Sequence, residues 1–486
     1  MTRTDVEKAL EVEESIKGIA LNVQEELSEE QKSIVKRYLR KIDFRVIPVV
    51  VLLYIFSLVD RGNISAALVA GLPQHMKMST SQQGNTVTFF YVTYLLCETP
   101  ANVLLKKTTP SIWFALIGSL WSISCMCLGF INNATLFIVI RALLGAFESG
   151  FTPGVVGFLN YWYTRAEIPF RMSLFFLAVP ISGIIGNPLS AFLASHRLGK
   201  FEPYQTIFII EGAITLAISI LTYFFLIDYP DKATIFTHEE KELLIRRLNT
   251  EHGMASKAKP TFKQTLNALS DWKVYVNAMI FFGYNNFAII VGTFAPTMIK
   301  GAGFPATKSI YLASLPSAVG FFGIILSMKL VGKVKYSTLM VFYAIFPLAC
   351  YVVAAFANGK YLKLTFLSLS GFGSATNVPL SLSFSSVNQG GIYKGLLASA
   401  VVVSIGSICG VFVPRFFVPD YAPKFLLGHL LTIGFSMMAS LLTIFLRFYY
   451  ASENRRRDNN PVDLSHIPIE EQRLLNDRHP NFRYNL

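Results

Sequence analysis

Apolar runs of bilayer length recur along the whole chain, and they leave few folds open to it. Phe44–Leu58, Ile112–Ile131, Ile207–Ile227 and Phe425–Phe448 each approach the roughly 20 residues that a helix needs to cross a hydrocarbon core. In lipid every backbone polar group must be satisfied internally, so only helices or a closed barrel can span. These runs are continuous, not alternating, and therefore predict helices. Twelve spans are expected, near 44–70, 84–105, 111–131, 134–162, 171–196, 207–228, 274–299, 309–330, 337–356, 361–388, 393–418 and 425–450. The expected fold is an all-α polytopic membrane protein. Composition agrees: 52% of residues are hydrophobic and 15% charged, against about 25% charged in soluble domains.

Polar segments divide the chain. Residues 1–43 form a polar, acid-rich N-terminal tail without an apolar stretch of signal-peptide type. Residues 229–273 are the longest internal polar segment and split the spans six and six; residues 451–486 follow the last one. The segment boundaries are thus 1–43, 44–228, 229–273, 274–450 and 451–486. Thr237-His238-Glu239-Glu240 has the pattern of a capping box and predicts a surface helix in the middle segment.

The net charge of +13 could point to nucleic acid, but its placement points to a membrane. Lys36, Arg37, Arg40, Lys41 and Arg45 precede span one, and Lys106-Lys107 lie between spans two and three. The 229–273 segment holds Lys232, Lys241, Arg246, Arg247, Lys257, Lys259 and Lys263, and Arg455–Arg457 follow span twelve. The alternate loops are poor in both residues. This asymmetry predicts that both termini are cytosolic. The five cysteines all fall in predicted spans and read as small buried residues, without metal-ligand spacing.

The two halves share an internal repeat. Gly145 precedes Pro153 by the same interval as Gly371 precedes Pro379, and Arg171 precedes Gly183 as Lys394 precedes Gly406. Two related six-span halves predict two six-helix bundles. Under this alignment Arg141 falls opposite Leu367 and Glu148 opposite Ser374. The charges are therefore no requirement of the repeat.

Charges inside a span cost at least a few kcal/mol each and mark function. Asp60 and Arg61 are adjacent in span one. Arg141 and Glu148, two turns apart in span four, share a face about 10 Å apart along the axis. Two arginines can hold a carboxylate by bidentate bonds, and a buried acid can take up a proton. An acid beside an arginine couples the two events. Purely structural ion pairs between helices are the alternative. Tyr91, Tyr94 and Glu98 share one face of span two. The second half offers Tyr284, Asn285 and Asn286 in span seven and Asn377 in span ten. Glu98, with Lys106 and Lys107, reads as a structural gate contact. Glu211 and Arg415 read as snorkelling groups near the far interface.

The run Val59-Asp60-Arg61-Gly62-Asn63-Ile64-Ser65-Ala66-Ala67 resembles a motif of the anion:cation symporter family of the major facilitator superfamily. So do Tyr94–Lys107 and Arg141–Gly154, the latter leading to Tyr161-Trp162-Tyr163. Arg478-His479-Pro480-Asn481-Phe482-Arg483-Tyr484 resembles the fungal allantoate/nicotinate permease branch. The resemblance implies twelve helices in two bundles and alternating access around a central cavity. It implies Arg61, Arg141 and Tyr94 at the anion, and Asp60 and Glu148 as proton carriers. The loop after span two departs from the superfamily pattern: it keeps only its basic end, Lys106-Lys107, and has no acid.

The expected activity is import of a small organic anion, a carboxylate such as nicotinate or allantoate, by proton symport. Arg61, Arg141, Tyr94, Asn285, Asn286 and Asn377 are the expected substrate contacts. No cofactor beyond the coupling proton, no metal and no nucleic acid is expected. The chain is expected to act as a monomer in a lipid bilayer, either the plasma membrane or an internal membrane such as the endoplasmic reticulum. A carrier without protons and a transporter-like nutrient receptor are the alternatives. An enzyme is not expected, because the chain lacks a His-x4-Asp pair, a Walker A run and an HExxH site.

Overall fold

The computed structural model is helical, with one isolated bridge between Val331 and Val334. It describes residues 28–105, 107–159, 161–164, 167–196, 199–230, 235–256, 269–389, 392–418, 424–460 and 475–486, with Ala233, Leu266 and Tyr421. The main helices of the first half are α1 (Glu29–Arg45), α2 (Ile47–Val69), α3 (Thr80–Leu105), α4 (Pro110–Leu128), α5 (Ala134–Glu148), α6 (Phe151–Leu159), α7 (Ile168–Phe176), α8 (Ala178–Ser195) and α9 (Pro203–Phe225). Then come α10 (His238–Ser256), α11 (Trp272–Gly301), α12 (Ser314–Leu330), α13 (Tyr336–Phe356), α14 (Lys360–Ser374), α15 (Asn377–Val387), α16 (Ile392–Ser407) and α17 (Leu426–Asn459).

Among the described residues, ten helical stretches are long and apolar enough to cross a membrane. The expected spans at 84–105 and 361–388 are not among them. α3 has 26 residues, but its first turns carry Ser81, Gln82, Gln83, Asn85, Thr86 and Thr88. The other stretch is broken at Ala375 and Thr376 into α14 and α15.

Glycine brings helices into backbone contact, which van der Waals packing in lipid requires. A methyl group on Gly145 would come within 2.3 Å of the Phe90 carbonyl oxygen, and one on Gly371 within 2.0 Å of that of Pro316. The same number of residues separates Gly145 from Gly371 as separates Phe90 from Pro316. The contact of α5 on α3 is thus repeated as α14 on α12. The halves meet where Gly183 faces Ser317 and Gly410 faces the Tyr91 ring.

The face that carries both described chain ends is tied by ion pairs. Ser28 and Gln31 form a capping box on α1. In the polar middle segment Thr237 and Glu240 cap α10 reciprocally, as the sequence pattern predicts. Buried Glu240 accepts from Arg37 and Lys41 of α1, both at 2.7 Å. Arg171 bridges α7 to Asp43, and Arg247 bridges α10 to Glu167. In the second half, residues 475–486 fold back under the helices. Asp477 is buried between Lys273 and Lys394, and Tyr484 stacks on Tyr450 with ring centroids 4.4 Å apart. Asp271, the N-cap of α11, also takes Lys394.

The opposite face joins the two halves directly. Lys300 at the end of α11 donates to the Val69 carbonyl at the end of α2. Arg415 donates to Thr88 Oγ1 at 3.3 Å and to Asn85 Oδ1 at 2.9 Å, and Thr88 donates to the Val411 carbonyl at 2.6 Å. Arg415 is therefore a link between halves, not a snorkelling group. The cysteines also differ from expectation: Cys125, Cys350 and Cys409 are buried, but Cys127 is exposed and Cys97 partly so.

Candidate functional site

The charged residues of α2 and α5 meet in the middle of the first half. Arg61 Nη2 donates to Glu148 Oε1 at 2.6 Å, and its Nε to the same oxygen at 3.2 Å. Ser57, one turn before Arg61 on the same face, donates to that oxygen at 2.5 Å. Glu148 Oε2 has no partner, and the residue is 1% exposed.

Arg141 does something the sequence does not suggest. It shares a face with Glu148 but forms no ion pair with it. Its Nη1 donates to the backbone carbonyl of Asp60 at 3.1 Å, and its Nη2 to that of Arg61 at 2.8 Å. Carbonyls have two lone pairs, so a helix interior can receive such a fork. Phe90 of α3 sits between the two arginines, with its ring 5.5 Å from the Arg61 guanidinium carbon and 5.0 Å from that of Arg141. Tyr94, one turn on, holds Arg61 at 5.1 Å. Attraction of each cation to the ring face is worth up to about 2 kcal/mol when desolvated.

The arginines therefore differ in access. The Arg61 side chain is 21% exposed, whereas Arg141 is 1% exposed. Arg61 is thus the guanidinium open to an incoming group, in competition with Glu148. Arg141 fixes the backbone on which Arg61 stands. Asp60 points away from this pair: Cys125 Sγ of α4 donates to its Oδ1 at 3.6 Å, and its Oδ2 has no partner.

The expected contacts in the second half are spread out. Asn286, 1% exposed and midway along α11, has no partner for either amide atom. Such a group calls for a ligand or water. Asn285 donates to the Gly406 carbonyl at 3.3 Å, and Tyr284 pairs with Thr443. Asn377 donates to the Met340 carbonyl of α13, which leaves only its Oδ1 without a partner. Its amide donor thus serves helix packing. Glu98 forms no ion pair among the described residues; its Oε2 is buried without a partner. Lys107 is exposed, and Lys106 lies outside the described residues.

Ser57 and Phe90 are members of the site that the motif reading passes over, Asn63 and Cys125 appear there without these contacts, and Glu211 differs from its expected place. Glu211 is completely buried and accepts from Ser190 at 2.6 Å, so it does not snorkel. Spacing on α9 could have shown this. Glu211, Thr215, Ser219 and Thr222 form a polar stripe at helical intervals, and all four are buried.

Comparison with known proteins gives this geometry a setting. A profile of the Major Facilitator Superfamily matches residues 50–414. A putative tartrate transporter of Agrobacterium vitis is 29% identical, covering 84% of this chain and 91% of its own. The major facilitator-type transporter hxnP of Emericella nidulans is 27% identical, covering 92% and 93%. Among solved structures, the xylose transporter XylE of E. coli in a partially occluded inward-open conformation superposes with a TM-score of 0.62 at 13% identity, covering 84% of this chain and 98% of its own. A bacterial homolog of the human lysosomal transporter Spinster, inward-facing and unoccupied, gives a TM-score of 0.61 at 13% identity, covering 82% and 95%. The chain belongs to the Major Facilitator Superfamily, as an integral-membrane transporter and not an enzyme.

Proposed function

We propose that this transporter imports a small organic carboxylate together with a proton. The observation that carries the reading is the Arg61–Glu148 pair at 2.6 Å, with Arg61 partly open and Glu148 closed off. Protonation of Glu148 frees the guanidinium for a substrate carboxylate; deprotonation returns Glu148 to Arg61 and expels the anion. Asp60 is the second proton carrier. Arg141 and Tyr94 hold Arg61 in place, and the open amide of Asn286, with Asn285 and Asn377, meets the rest of the substrate. Glu98, Lys106 and Lys107 belong to the gate on the face of the chain ends.

In this reading α3 and the broken α14–α15 complete twelve spans in two six-helix bundles. Both termini are cytosolic, the membrane is the plasma membrane, and the working unit is a monomer. Alternating access then exchanges the contacts of the opposite face for contacts near the chain ends. A relative named for tartrate, a dicarboxylate, supports the substrate class. Nicotinate and allantoate are the specific candidates.

The test is uptake of radiolabelled nicotinate in a strain without related permeases, with allantoate, tartrate, pantothenate and biotin as competitors. Accumulation should rise as the external medium is acidified. Arg61→Ala should abolish it with the protein still in the membrane. Uptake of every competent anion that ignores external pH would sink the proton coupling, and full activity in Arg61→Ala would sink the anion site.

A further inference from the structure

Three buried acceptor oxygens without donors stand on α2 and α9, which both reach Cys125 of α4. Glu211 of α9 is 0% exposed; its Oε1 accepts from Ser190 of α8, and its Oε2 has no partner. Asp60 is equally buried, with Oδ2 unpartnered. Asn63, one turn after Asp60, donates to Cys125 Sγ at 3.2 Å and leaves its Oδ1 without a partner. Cys125 Sγ, 3.6 Å from Asp60 Oδ1, also lies 3.8 Å from the carbonyl oxygen of Phe208, one turn before Glu211 on α9.

The charged and titratable groups around them are few. α2 supplies Asp60 and Arg61, α4 supplies Cys125, and α5 supplies Arg141 and Glu148; α8 supplies only the Ser190 hydroxyl. Arg61 is engaged by Glu148, and the Arg141 fork by two backbone carbonyls. No salt bridge reaches Asp60 or Glu211 among the described residues. An ionised carboxylate only accepts, whereas a protonated one also donates. Arg141 Nε is a buried donor without a partner, but one N–H leaves two of the three oxygens unserved; surplus acceptors of this kind are completed by protons. Charged and unpaired, two such acids would not be tolerated in this interior.

We propose that Glu211 is a proton-carrying residue that works in relay with Asp60, separate from the Arg61–Glu148 pair. Once Asp60 has released its own proton toward the face of the chain ends, the O–H bond on Glu211 breaks and its proton forms a new O–H bond on the Asp60 carboxylate. Glu211, now ionised, is reprotonated from the face opposite the chain ends. It stands eight residues into α9, which starts on that face, so about 12 Å of helix separates it from the rim. The transport consequence deepens the symport reading and rests on it; the proton on Glu211 does not.

The test is therefore read first without substrate. In full-length protein in lipid nanodiscs, infrared difference spectra between acid and alkaline buffer should contain a carboxylic C=O band of a buried acid that vanishes on alkalinisation. Glu211→Gln, which keeps the bond to Ser190, should lose that band, and Glu211→Asp should retain it at a displaced frequency. If the band is absent from the wild type, or unchanged in Glu211→Gln and Glu211→Asp alike, the proposal is overturned. In proteoliposomes, Glu211→Gln should also flatten the pH profile of nicotinate uptake. A lowered melting temperature with an unmoved pH profile would mark Glu211 as structural and overturn the relay. Failure of wild-type protein to move any organic anion, with the band still titrating, would instead overturn the symport reading and leave Glu211 a proton site.

Discussion

At the scale of residues, the informative difference is between the two arginines. Arg141 reaches two adjacent carbonyls with a planar fork, a geometry that a lysine ammonium cannot reproduce. Arg141→Lys should keep the charge yet lose one carbonyl bond, and transport should fall at least about tenfold, the equivalent of roughly 1.4 kcal/mol. Surface expression measured alongside uptake separates this from a folding loss. Wild-type rates in Arg141→Lys would show that charge alone suffices. The presence of four ionisable groups in α2 and α5 was legible from sequence. Their partners were not, because helices that are apolar on every side give no periodicity from which to read which way a side chain faces. Arg141 and Glu148 share a face by spacing, yet Arg141 bonds to α2 backbone and Glu148 to the Arg61 side chain. Asp60 turns the other way, toward Cys125. Glu211 differs for another reason: its depth along α9 suggests snorkelling, but the stripe of Thr215, Ser219 and Thr222 marks its side of the helix as buried.

At the scale of elements, the close crossings and the folded-back tail decide stability. Gly145→Ala would push a methyl against the Phe90 carbonyl, and overpacking of this kind typically costs about 1–3 kcal/mol. Thermal melting of the purified protein should show the loss, and the repeat-related Gly371→Ala should behave alike. The tail depends on Asp477. Burial alone would raise its carboxyl, but the hydrogen bonds and charges of Lys273 and Lys394 outweigh this and hold it below the usual carboxylate range. A depressed group stabilises above its unfolded value, near about 4 for aspartate, and that contribution is lost as pH falls through the lower folded value. Asp477→Asn leaves buried lysines short of a partner and should cost about 3–5 kcal/mol at neutral pH. In melts across acid pH, the wild type should lose its advantage over Asp477→Asn only below about pH 4; an equal gap at every pH would refute the ion pairs. The capped α10 was legible in Thr237–Glu240, because capping is local chemistry. The docking of Tyr484 on Tyr450 was not, because it joins segments far apart in the chain.

At the scale of the whole molecule, the described contacts between halves concentrate on the face away from the chain ends. Lys300, Arg415 and Thr88 bond across it, while the ion pairs at the other face stay within one half or its flanking helix. A transporter held this way is closed on one side, and weakening that closure should shift its population toward the reverse state. Arg415→Ala removes two bonds between halves. Labelling of a single cysteine placed at Val418, which is buried and packs near Gly84 of the other half, in a cysteine-free background should rise several-fold, which corresponds to about 1 kcal/mol. Unchanged labelling would mean that the glycine contacts alone keep this face shut. The membrane class and the repeat were legible from apolar length and glycine spacing. The resting conformation was not, since two packings of one sequence differ by only a few kcal/mol.

The burial of Asp477 also has a consequence for how the protein is made. Lys273 is 204 residues ahead of Asp477 in the chain, and Lys394 is 83 ahead. A growing chain therefore inserts both lysines long before the residue that neutralises them emerges from the ribosome. Until then Asp271 alone serves the pair, and the ends of α11 and α16 carry excess positive charge. Arrival of the tail completes the second half. Nascent chains that stop after α17 leave Lys273 and Lys394 with one carboxylate between them.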